Sequence, residues 1–283
     1  MVSDWYAFMN TTLSPWKIAC INETRQAIAI GEIADERQPI ADGQMSYTRG
    51  VAWNCHTTAV GLTCEVTDDD ITQIILFYES HSMPANIELT TFASEDFLGK
   101  LRSRGFGLVH VENVLACSLG SDDDPFARMP FGLPDGLTIE RTDPDDAGAL
   151  RMHALLASSG FHTPANPASE KELELMERSI RHPRSVGFVA FVNSQPAAAC
   201  GMEICSVNGV KACALWGTSV DEAYRHRGVQ QALIAHRLAY AISQKCSLAV
   251  IESKPGIATE RNAARMGFGL SYVRLILTRP LSQ

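Results

Sequence analysis

The sequence predicts an α/β (α+β) chain of two units in tandem, each a mixed, mostly antiparallel sheet flanked by helices. Three observations carry that expectation. Short β-branched runs alternate with segments whose apolar residues recur every three to four positions, the marks of strands and amphipathic helices. The tetrad Gly105-Phe106-Gly107-Leu108 returns as Gly267-Phe268-Gly269-Leu270, an offset of 162 residues. Held without gaps, that offset also pairs Val111 with Val273, Leu115 with Leu277 and Leu119 with Leu281, so the chain reads as a duplication. Charge divides the same way: residues 1–124 carry 7 basic and 18 acidic side chains, and residues 125–283 carry 17 and 14. A length of 283 residues, 46% of them hydrophobic, is enough for two cores. The boundaries read as 1–120 for the first unit, 121–135 for a Gly-, Pro- and Asp-rich linker, and 136–283 for the second.

In the first unit, Trp5, Tyr6, Phe8 and Trp16 give the opening fifty residues the apolar bulk to pack as helices. The run Ile87-Glu88-Leu89 falls, at the same offset, on the strand-like Ala249-Val250-Ile251. Ahead of it stand three consecutive carboxylates, Asp68, Asp69 and Asp70, which would repel a bound phosphate.

In the second unit, Leu137 to Thr142 reads as a strand. The carboxylates of Asp143, Asp145 and Asp146 can then cap a helix reaching about Ala157. Glu170 to Arg181 is a second helix. Val186–Val192 and Ala197–Cys205 are strands joined through Asn193 to Pro196, and Asn208-Gly209 is a further hairpin turn. Cys213 to Val220 is a buried strand. From Val229 to about Gln244, Ile234, Leu238, Ala241 and Ile242 mark a helix. Cys246 to Glu252 is a strand, Thr259 to Gly267 a short helix closed by glycine, and Leu270 to Leu277 a last strand.

The turn between Val220 and Val229 is the most informative stretch. A strand, a basic turn with a glycine, and a helix opening on that glycine make an anion cradle. The first backbone N–H groups of a helix have no intrahelical acceptor, and the macrodipole adds positive charge there. Gly228 lets the backbone approach a diphosphate, while Arg225 and Arg227 add full charges.

This stretch, Arg225-x-x-Gly228-x-Gln230, resembles the acetyl-CoA signature of the GNAT superfamily of N-acetyltransferases, in which Arg or Gln, two residues, Gly, one residue, and Gly or Ala follow one another. Gln230 departs from it, so its side chain must swing aside or bond to the diphosphate. The element order from residue 136 onward, with Arg261-Asn262 and Gly267-Phe268 ahead of the last strand, is similar to that family too. The resemblance implies two tandem GNAT-like domains, the first degenerate and the second using acetyl-CoA as co-substrate. It places the co-substrate against Thr218, Ser219, Val220, Arg225, His226, Arg227, Gly228, Val229 and Gln230, with Asn262 near the pantetheine. Trp216 to Val220 matches the strand that aligns the thioester.

The acid and base are less legible. Many family members carry a tyrosine four residues before the glycine of the final Gly-Phe; here that position is Ala263. Tyr272, and Ser253 behind it, are substitutes by proximity in sequence. Glu203 is the first choice for the base and Asp221 the second. His226 reads as a solvent or phosphate contact and His236 as a packing residue. The acceptor is then a small-molecule or peptide amine. The resemblance leaves open a non-catalytic acyl-CoA-binding or sensing module, or transfer of another acyl group.

Composition excludes other classes. No basic stripe interleaved with aromatics points to nucleic acid. None of the eight cysteines is spaced C-x-x-C with another, so no metal is expected. The opening residues do not read as a signal peptide and no apolar run is long enough to span a membrane, so a cytoplasmic chain, a homodimer being compatible with it, is the expectation.

Overall fold

The structure, a computed structural model, describes residues 12–130, 132–163 and 165–281. Trp5, Tyr6 and Phe8 lie outside the described residues. The chain forms two compact units, one of residues 13–114 with the segment from Ser271 onward, the other spanning Leu115–Leu270.

In the first unit α1 (Pro15–Ile33) starts with Ser14 accepting from the Lys17 amide and a proline in its first turn, where a missing N–H costs nothing. There follow β1 (Glu36–Ile40), β2 (Gly43–Tyr47), β3 (Thr57–Thr58), α2 (Asp68–Ser80), β4 (Ala85–Thr90), α3 (Glu95–Ser103) and β5 (Gly107–Ser118). The chain's last strand, β11 (Gly269–Arg279), pairs antiparallel with β4 from Arg274 opposite Thr90 to Arg279 opposite Ala85. Ile71, Ile74, Tyr78, Ile87, Leu89 and Leu101 form the core between helices and sheet. The three aspartates are the first turn of α2. Thr67 and Asp70 make a capping box, so this helix end is satisfied by its own carboxylate.

In the second unit β6 (Leu137–Arg141), α4 (Ala147–Ser158), α5 (Glu170–Arg181), β7 (Ser185–Val192), β8 (Gln195–Val207), β9 (Val210–Val220), α6 (Val229–Ser243), β10 (Leu248–Ser253) and α7 (Ala258–Arg265) follow in order. The strands β6 to β9 form an antiparallel meander, and β10 adds to β9 in parallel. Both hairpins turn on residues with positive φ, Asn193-Ser194 and Asn208-Gly209, the backbone that matches strand twist. Ala232, Leu233, Ile234, Ala235 and Leu238 of α6 are fully buried against this sheet.

The duplication holds beyond the matched tetrads. Adding 162 to the bounds of α2, β4, α3 and β5 gives 230–242, 247–252, 257–265 and 269–280, nearly the bounds of α6, β10, α7 and β11.

The division of the chain differs from the sequence boundaries in two places. The segment from Ser271 onward belongs with residues 13–114, because β11 finds its hydrogen-bond partner in β4. The stretch 121–135 is not a free linker. Asp124 caps a short 3-10 turn at Pro125–Arg128, and Arg128 donates to Asp123 and to the Met266 carbonyl.

Candidate functional site

The site begins with an irregularity in β9. Across β8 the register runs Val220–Ala198 and Ser219–Ala199, then resumes at Trp216–Gly201. Gly217 and Thr218 therefore face the single residue Cys200, and Gly217 has φ of 59°. This is a β-bulge with a left-handed glycine, which bends the strand and re-aims its backbone. It sits against close packing: a Cβ on Gly201 would lie 2.5 Å from the Trp216 ring. The fully buried Arg237 of α6 donates to the Gly201 carbonyl at 2.9 Å, which holds the β8 side of the bulge.

On its other edge β9 parts from β10. The parallel register covers Ala212–Leu248 to Leu215–Ile251 and stops, although β9 runs on to Val220. The two strands splay at the bulge, and Trp216, Gly217 and Thr218 are half-buried rather than sealed. The open backbone of β9 beyond Leu215 can pair with an extended polar ligand.

The strand then delivers the chain to the cradle. Asp221 caps a short 3-10 turn by accepting from the Ala223 amide at 2.9 Å. Arg225 turns back and its Nε donates to the Val220 carbonyl. His226 takes the left-handed φ of 61°, and Arg227 lies 5.8 Å from the Tyr224 ring centroid. Arg225, His226 and Arg227 are all exposed. Gly228, with φ of 81°, is the N-cap of α6, and no side chain caps that helix. The amides of Val229, Gln230 and Gln231 thus have no intrahelical acceptor, beside two exposed guanidinium groups. This arrangement suits an anion.

Gln230 swings aside. Its Nε2 donates to Thr259 Oγ1 at 3.2 Å, and its Oε1 accepts from Asn262 Nδ2 at 2.6 Å. Asn262 Oδ1 accepts in turn from Gln231 and Arg265. Gln230 and Asn262 therefore tie α6 to α7 beside the cradle.

The catalytic candidates are employed elsewhere. Glu203 pairs across the register with Ala214, two residues from Trp216 on the side away from the cradle. Its carboxylate accepts from Arg184 Nε at 3.1 Å and its side chain is 4% exposed. Tyr272 is in the other unit. Its hydroxyl donates to Glu23 at 2.5 Å and accepts from Asn22 at 3.0 Å, and burial, with Glu23 beside it, holds it neutral well above the ordinary tyrosine range. Sequence proximity to Ala263 misled there, because the pairing of β11 with β4 carries Tyr272 into a buried cluster around Arg274. Asp221 caps its turn. Ser253 bonds to the Lys254 carbonyl, and His236 packs edge-on to Phe188. Sequence reasoning missed the bulge and Arg237; a glycine followed by a small hydroxyl residue inside a strand was the signal available for the first. Among the described residues no group of three or more His, Cys, Asp or Glu is placed to hold a metal ion, and no helix is long and apolar enough to cross a membrane.

Residues 150–268 match the Acetyltransferase (GNAT) family. Three solved structures share the fold over most of the chain. A GCN5-related N-acetyltransferase from Kribbella flavida superposes with TM-score 0.67 at 14% identity, covering 93% of this chain and 96% of that one. A tandem GNAT protein from the clavulanic acid biosynthesis pathway gives TM-score 0.61 at 12% identity, covering 86% and 80%. A conserved protein of unknown function from Staphylococcus epidermidis gives 0.59 at 12% identity, covering 87% and 93%. At these identities the likeness is one of fold. No curated protein sequence matches the chain. The family match thus lies within the second unit, and the chain has the two-domain fold of tandem GNAT proteins.

Proposed function

We propose that the chain is an acetyl-CoA-dependent N-acetyltransferase whose second unit binds the co-substrate and whose acceptor is a small-molecule or peptide amine. One observation carries this reading: an uncapped helix N-terminus stands directly after a strand that bulges and leaves its neighbour. The diphosphate sits on the amides of Val229, Gln230 and Gln231, with Gly228 leaving room and Arg225, His226 and Arg227 around it. The pantetheine pairs with the open backbone of Thr218, Ser219 and Val220 and passes Asn262. That extended path brings the thioester to the bulge at Gly217, where a backbone N–H can donate to the carbonyl oxygen as negative charge builds on it. Holding both substrates at one place supplies much of the rate.

The first unit does not bind CoA in this way. The helix at the cradle's equivalent position carries Asp68, Asp69 and Asp70, and Thr67 and Asp70 close its end with a capping box. All eight cysteines are free, compatible with a reducing cytoplasm.

A second reading, an acyl-CoA-binding module without turnover, draws support from Ala263 and from the engagement of Glu203 and Tyr272 in ion pairs and hydrogen bonds. Release of the CoA thiol from acetyl-CoA in the presence of primary amines separates the two. Amine-dependent release supports the transferase; binding without release supports the module.

A further inference from the structure

Met176 stands over the bulge glycine. In a regular strand Trp216 and Gly217 would face opposite sides of the sheet. The bulge turns both toward α4 and α5. Trp216 packs against the apolar cluster of Ala154, Ala157, Leu173, Met176, Val189 and Ala199. A Cβ on Gly217 would find, apart from its chain neighbours, Met176 Cε as its nearest atom among the described residues, at 4.0 Å. That is ordinary contact between carbons, so the place of the missing side chain is open and the methionine methyl closes its far side.

Three neighbouring glycines leave no such room. A Cβ would lie 2.5 Å from the Trp216 ring at Gly201, 2.8 Å from His153 at Gly187 and 2.7 Å from Ser219 Oγ at Gly160. The walls around the open place are held. The Trp216 ring lies flush on Gly201, and the loop after α4 is fastened to the strand by Ser159 Oγ, 2.8 Å from Ser219 Oγ. The capping box of Ser169 and Glu172 starts α5, whose spacing puts Leu173, Met176 and Ile180 on one buried face. Met176 is unbranched with three rotatable bonds, so its thioether tail is the one wall that can give.

We propose that Met176 sets the length of the acyl group, admitting acetyl and propionyl and stopping longer unbranched chains, a proposal that rests on the co-substrate reading above. With the thioester at Gly217, the acyl carbons enter the space that the glycine leaves. They lie along Trp216 and meet the Met176 methyl, which stands one contact distance from the place of the missing Cβ. A short acyl group fills that space; a longer one has to displace the methionine from a packed cluster. Gly217 is required twice over, since its backbone is left-handed and any side chain would occupy the acyl group's place.

The test is calorimetry on the full chain with free CoA and with acetyl-, propionyl-, butyryl- and hexanoyl-CoA, which reads binding whether or not transfer follows. Wild type is expected to bind propionyl-CoA within about fourfold of acetyl-CoA, the worth of one methylene. Hexanoyl-CoA should bind at least about 10-fold more weakly than acetyl-CoA. Met176→Ala removes the wall and should erase most of that gap. Its affinity for free CoA should stay within about twofold of wild type, because the cradle is untouched. Met176→Leu keeps nearly the same volume and so spares the fold. It draws the wall back by one atom and should improve butyryl-CoA about fourfold relative to acetyl-CoA. Hexanoyl-CoA bound by wild type as tightly as acetyl-CoA overturns the proposal. So does a chain-length profile that both variants leave unchanged while free CoA still binds; either result leaves the co-substrate reading standing. A wild type that binds neither free CoA nor any acyl-CoA overturns that reading and the proposal with it.

Discussion

Replacing Gly228 by Asn and, separately, by Asp isolates the electrostatics of the cradle. The two side chains have nearly the same size, and both tolerate the left-handed backbone better than other L-residues. Gly228 has φ of 81°, and the nearest atom to a Cβ there is Pro134 Cγ at 3.7 Å, so either side chain fits. Both should cost roughly 1 kcal/mol of backbone strain, a similar fall of about 2–4 °C in Tm. They differ in one negative charge. At about 5 Å from a phosphate charge, with an effective dielectric constant between about 80 and 20, that charge costs roughly 1–3 kcal/mol. Calorimetry should find acetyl-CoA bound about 5- to 150-fold more weakly by Gly228→Asp than by Gly228→Asn. Raising the salt should narrow the gap. Equal affinity of the two variants, at low salt and with equal Tm, would refute a diphosphate at this helix end.

Four further outcomes follow from the same geometry. Gln230→Ala removes the bonds to Thr259 and Asn262 and should leave acetyl-CoA affinity by calorimetry within a few-fold, since that side chain points to α7 and not across the cradle. Leu238→Ala, at a fully buried position on α6, should lower stability in urea by about 2–5 kcal/mol. Arg274→Met should cost roughly 3–5 kcal/mol by the same assay, because it strands the carboxylates of Glu23, Glu88 and Glu112 around a buried gap. His153 adds a pH dependence. Burial lowers its pKa to about 4 from the ordinary 6.5. As pH falls, the unfolded chain takes the proton first, so the stabilisation is complete above about pH 6.5 and lost down to about pH 4. It amounts to about 3 kcal/mol over that window, and urea melts at pH 7 and pH 4.5 should show a smaller difference for His153→Gln than for wild type.

What was legible in the sequence was local. The cradle could be read because a helix period, a glycine at its start and two arginines lie within a dozen residues. The repeat could be read because α2, β4, α3 and β5 kept their spacing when copied, so one offset places four elements. The β9 bulge could not, since it exists only as a mismatch between the registers of two strands, set where Gly201 meets Trp216. The cluster around Arg274 joins residues some 250 positions apart, as with Asn22 and Tyr272, and no window of sequence contains it. The same distance hid the home of the last strand, whose apolar pattern fits either sheet; only its pairing with β4 decides. Glu203 looked available as a strand-end carboxylate, but β8 runs on to Val207 and places Arg184 against it.

One titration tests the cradle most directly, acetyl-CoA into the whole chain by calorimetry. One site per chain is the predicted result, from an uncapped α6 and a self-capped α2. Two sites would contradict the reading of Asp68, Asp69 and Asp70, and no binding would contradict the assignment of the cradle itself.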